Sequence, residues 1–195
     1  MKIAQKLAGG APAFVALALL AAGCSPGGEK TALSLVPEAN RHVGEQSKDK
    51  VVQIRSEKSI GTLTPNLWHV VFYDPDATFK AVEVKFGAGQ KLEVSRPLRV
   101  LELGLGNHKP FDRSKVKVDS DRAIKTATAE PLLKALKLTA TQLWLQQGDE
   151  GPVWKVRLWA AKLRNPTEDA DIGEVYITSD TGKVIRTDLH INSVD

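Results

Sequence analysis

A chain of 195 residues with 27 basic and 23 acidic side chains carries a formal net charge of +4, and 42% of it is apolar, enough to bury one good core or two small ones. One cysteine cannot close a disulfide within the chain, so the fold must rest on apolar packing and hydrogen bonds. Two of the positive charges, Lys2 and Lys6, stand ahead of an uncharged stretch from Ala11 to Ala22; without them the surplus halves, too little to argue for a nucleic-acid partner.

The first residues divide into zones of different composition. Lys2 and Lys6 form a short positive region, and Ala11 to Ala22 (APAFVALALLAA) is apolar but shorter than the roughly 20 residues a membrane span needs. Leu20-Ala21-Ala22-Gly23-Cys24-Ser25 follows, with small residues just before the cysteine. This segment resembles a lipobox, with Ala21 standing where leucine is usual. The resemblance implies a signal peptide over residues 1–23, cleavage before Cys24, and acylation of the Cys24 thiol. Lipid on Cys24 would then be the chain's contact with a membrane and would remove the oddity of a lone exported thiol. The resemblance also implies a position in the cell envelope. Ser25, where an aspartate would favour the inner membrane, points to the outer membrane facing the periplasm. Residues 24–36 are rich in Pro and Gly at their start and are expected to form a tether reaching about 40 Å when extended.

Beyond the tether, Pro37 to Gln46 is expected to form a short helix weakened by Gly44. Val51 to Arg55 is expected to be a strand. Three more strand candidates follow at Pro65–Phe72, Ala81–Phe86 and Gly89–Val94, the first of them bearing Trp68. Residues 97–113 form a connector whose apolar run LRVLELGL could itself be a strand. In the second half, Asp119 or Ser120 can cap a helix through about Thr128, and Pro131 suits the first turn of another, PLLKALKL. Ala140–Leu145 is the next leading strand. It is followed by Pro152–Trp159, Gly173–Ile177 and Thr181–Arg186, with Asp180-Thr181-Gly182-Lys183 as a tight turn in which Gly182 can take positive φ. Trp154, Val156 and Leu158 fall on one face of their strand, and Lys155, Arg157 and Trp159 on the other.

The two halves are an approximate internal repeat, predicting an α+β fold of two tandem units. Each unit is expected to be a helical segment packed on its own four-stranded antiparallel sheet, over residues 37–96 and 114–195. Val153-Trp154-Lys155-Val156, Gly173-Glu174-Val175-Tyr176-Ile177 and Asp180-Thr181-Gly182-Lys183-Val184-Ile185 resemble the PepSY-type repeat, well over Val118 to Leu189 and in degenerate form over Pro37 to Val94. The tandem arrangement also resembles that of the beta-lactamase inhibitory protein. The PepSY resemblance implies a non-catalytic module that binds or restrains a peptidase or another envelope protein.

Little in the sequence points to chemistry. Gly-x-Ser-x-Gly, His-Glu-x-x-His and the phosphate-loop pattern are absent. Gly104-Leu105-Gly106 lacks the third glycine of a dinucleotide loop. His42, His69, His108 and His190 are scattered without metal-ligand spacing, and His69 is expected to be a half-exposed strand residue. The acidic run from Glu168 to Glu174 departs from the calcium-loop pattern and is expected to be a solvated hairpin loop. No catalytic residue, cofactor or metal is expected. The one candidate surface joins Trp144, Lys155, Arg157, Trp159 and Tyr176, with Gln142 and Gln146 beside them, on the sheet face away from the helices, a composition common at binding hot spots. Two readings stay open: a protein-binding module, and a structural or envelope-stress lipoprotein without a tight partner.

Overall fold

The computed structural model describes residues 30–96 and 109–195. The segment expected to be a signal peptide, Cys24 and the apolar run of the connector lie outside the described residues. Strands run at Val51–Ser56 (β1), Leu67–Tyr73 (β2), Ala81–Gly87 (β3), Gln90–Ser95 (β4), Leu138–Gln147 (β5), Pro152–Ala161 (β6), Asp169–Thr178 (β7) and Val184–Leu189 (β8). The α-helices are Val36–Asn40 (α1) and Ser120–Thr128 (α2). Asp119 caps α2, its carboxylate accepting from the Ser120 and Leu33 amides. Ala88 and Gly89, both at positive φ, make the two-residue turn between β3 and β4, and Gly182 at φ 79° serves the turn before β8.

The eight strands form one antiparallel sheet in the order β4-β3-β2-β1-β5-β6-β7-β8. This overturns the expectation of two four-stranded sheets, each under its own helical segment. β1 and β5, the leading strands of the two halves, hydrogen-bond to each other through Gln53–Gln146, Ile54–Leu145 and Arg55–Trp144. A leading strand has one free edge, and the two edges satisfy one another. Where β1 stops, side chains continue the seam. The Ser56 hydroxyl accepts from the Leu143 amide and the Ser59 hydroxyl from the Thr141 amide, each at 2.9 Å. The Ser59 amide donates to the Thr141 carbonyl at 2.8 Å.

The apolar face is continuous as well. One core cluster takes Trp68, Val70, Phe72 and Phe86 from the first half together with Leu143, Trp154, Val156, Leu158 and Ile177 from the second. Trp154 is fully buried, and its indole N–H donates to the Val118 carbonyl at 2.8 Å. The helical cover is thin. Gly44 takes an extended conformation, so the first helical stretch breaks into α1 and a 3-10 turn at Glu45–Ser47. Pro131–Leu133 is only a 3-10 turn, because Leu138 must already pair with Ala160 in the sheet. Ala32, Leu35 and Val36 are fully buried, so the last residues assigned to the tether belong to the fold.

Candidate functional site

β6 settles which side chains face away from the helices. Trp154, Val156, Leu158 and Ala160 are buried in the core, whereas Lys155, Arg157 and Trp159 are half-exposed on the opposite face. Pairing then carries one row of side chains across the whole sheet on that face. In spatial order it reads Glu93, Lys85, His69, Arg55, Trp144, Lys155, Tyr176 and Arg186, each opposite the next. At about 4.8 Å per strand, such a row is roughly 34 Å long.

In the β5–β8 half the row is a ladder of cations on rings. The Lys155 ammonium lies 4.4 Å from the centre of the Trp144 ring and 3.3 Å from a Glu174 oxygen. The Tyr176 hydroxyl donates to Glu174 at 2.7 Å, and the Arg186 guanidinium stacks 3.7 Å from the Tyr176 ring. Burial, then the hydrogen bond to Glu174, raises the Tyr176 phenol above its ordinary value. A second group lies beside the row. Lys58 and Arg157 stand 4.8 and 5.5 Å from the Trp159 ring, and Arg157 Nε donates to Asp171 at 2.7 Å. That hydrogen bond holds the guanidinium protonated more firmly than usual. Burial pushes the Asp171 carboxyl up, but the Arg157 bond and the Gly173 amide outweigh it, leaving it below its ordinary value. The structure thus places Trp144, Lys155, Arg157, Trp159 and Tyr176 on one face. Gln142 donates to the Ser56 carbonyl and Gln146 accepts from Gln53, so both serve the seam.

The β1–β3 half of the row was not anticipated. His69 is 4% exposed, not half-exposed, and each of its ring nitrogens meets a carboxylate: Nδ1 lies 2.5 Å from Glu83 and Nε2 2.9 Å from Glu57. The ring is thereby held between the two carboxylates. Arg55 donates to the other Glu83 oxygen at 2.7 Å. Burial pushes the Glu83 carboxyl up, yet the His69 bond and the Arg55 charge together hold it below the usual carboxylate value. Beside this network Val52, Val71 and Ala81 make a small buried apolar cluster. The only sequence signal was that Arg55, His69 and Glu83 sit at alternating strand positions.

Among the described residues no group of three or more His, Cys, Asp or Glu could hold a metal ion. No described helix is long and apolar enough to cross a membrane. Most of the acidic run from Glu168 to Glu174 is β7 itself, and Glu168 is paired with Lys162 at 2.8 Å.

No family model matches the chain, and no curated protein matches it. A distant structural neighbour is the YpeB C-terminal domain of Bacillus megaterium, a PepSY-related domain, 13% identical with a TM-score of 0.25. The match covers 82% of this chain and 65% of that domain, and at such distance it carries no functional argument.

Proposed function

We propose that the chain is a lipid-anchored, non-catalytic module of the cell envelope that binds another protein through the β5–β8 half of its helix-free sheet face. The observation that carries this reading is the ladder Trp144–Lys155–Tyr176–Arg186 with Trp159 and Arg157 beside it. It offers large rings whose faces already hold cations, in a rigid in-register array. Aromatic and arginine side chains on a rigid sheet lose little freedom on binding and resemble the anchors of protein interfaces. An envelope protein or a peptidase to be restrained is the class of partner, in keeping with the PepSY-type motifs, and the lipobox-like segment supplies the anchor.

Affinity capture from solubilised native envelopes tests the reading. The chain should recover a partner in stoichiometric amount, and Trp144→Ala with Trp159→Ala should lower that recovery at least about tenfold while the protein stays folded. Equal recovery by the folded double variant would remove the face from the argument. Cys24→Ala should abolish lipid labelling and membrane partition; unchanged partition would sink the anchor separately from the face.

A further inference from the structure

Among the described residues the outer strands of the sheet are β4 and β8, and they differ in one respect. In β4 the register slips around Leu92, in the middle of the strand; in β8 it slips at Ile185, near its start. A bulge in the middle of an edge spoils regular pairing along it, whereas one at the end leaves the rest usable. From Arg186 to Leu189 β8 is a regular edge. His190 donates its amide to the Ile172 carbonyl of β7, so by alternation Asp188 also faces β7, and Thr187 and Leu189 turn their amides and carbonyls outward. Among the described residues no backbone hydrogen bond occupies that outer side of β8. The chain after it turns inward, with Val194 accepting from the Leu163 amide rather than covering the edge.

We propose that β8 is a self-pairing edge whose partner is a second copy of this chain, joined antiparallel about a two-fold axis at Thr187. The sequence of β8, Val-Ile-Arg-Thr-Asp-Leu, is self-complementary in that register. Thr187 meets Thr187 of the other copy and exchanges two backbone hydrogen bonds with it. Arg186 faces Asp188 twice, once on each side of the axis, and Leu189 comes to lie beside the bulge residue Ile185 at either end. The charges match without surplus: one cation and one anion per strand, both side chains exposed, with Asp188 otherwise only 3.6 Å from the exposed His190. Opposite charges directly across an antiparallel pair are favourable and like charges are not. Ile185, 53% exposed in the single chain, gains an apolar neighbour. The dimer is a closed two-fold assembly, which consumes the β8 edge and does not propagate. The proposal does not rest on the protein-binding reading: it uses the sheet edge, and the one residue the two share is Arg186, which the Asp188 variant leaves in place.

The full chain in mild detergent is measured by sedimentation across a concentration series. The wild type should show a monomer–dimer equilibrium. Arg186→Asp and Asp188→Arg each place like charges opposite one another twice, and each should weaken dimerisation at least about tenfold while circular dichroism reports a folded sheet. Mixed in equal amounts, R186D and D188R become complementary and should restore the dimer, as should the double variant R186D/D188R. The proposal is overturned by a wild type that stays monomeric to several hundred micromolar, by single variants that dimerise as well as it does, or by a mixture that stays monomeric.

Discussion

The two halves of the helix-free face are built from similar residue types and serve different ends. Around β1–β3 a buried histidine and a buried carboxylate, with a half-buried arginine, are joined by hydrogen bonds to one another. Around β5–β8 cations and carboxylates are half-exposed, and the cations also lie over aromatic rings. The first arrangement fixes the sheet, because withdrawing any member strands a charge away from water. The second has surface left to offer a partner, since its ion pairs are screened and its rings are only partly covered.

Substitutions test that contrast. The largest effect should come from His69→Ala, which leaves Glu83 buried with Arg55 alone and should cost about 3 kcal/mol in denaturant unfolding. A loss below about 1 kcal/mol would put this network in the same class as the exposed half. Acid should act next. Glu83 has a folded-state pKa below the ordinary 4.5, so its contribution is complete above that value and lost as pH falls through the lower, folded-state one. Stability measured against pH should therefore fall on acidification below about 4.5, and Glu83→Gln, already weaker at neutral pH, should show a shallower fall. An unchanged slope in that variant would mean other carboxylates carry it. The smallest effects belong to Arg157→Ala and Tyr176→Phe, each within about 1 kcal/mol by thermal or denaturant unfolding. A loss above about 2 kcal/mol in either would show that the exposed half also holds the fold together, and the contrast would fail.

Local features could be read from the sequence because local physics decides them. Asp119 precedes α2 as a cap, Gly182 supplies the positive φ of its turn, and strict alternation set the phase of β6, bringing Lys155, Arg157 and Trp159 to one face. The grouping of strands could not be read that way. Alternation in β1 and β5 is equally satisfied by two separate sheets, and pairing Arg55 with Trp144 depends on the meeting of segments far apart in the chain. Ser56 and Ser59 each accept a β5 amide, a role that only the meeting of the two halves gives them. His69 was misjudged for the same reason: its partners Glu57 and Glu83 come within reach only once the β1–β2–β3 register is fixed. The helical stretch from Pro37 stops at Asn40, and Gly44, its weak point in the sequence, is extended.

The seam between β1 and β5 has a consequence for the order of assembly in time. Each half is a meander of neighbouring strands joined by short or moderate connections, whereas the seam joins residues such as Gln53 and Gln146, 93 positions apart. Closing so long a loop costs entropy before any seam bond rewards it, so the seam should be the last part of the sheet to form. Until then β1 and β5 each present a bare edge, and a chain emerging from synthesis must carry the β1 edge unpaired until β5 has followed it. The mutual capture of these two edges thus ends the period of exposure: once formed, it withdraws from other chains the two strands that stay open longest during folding.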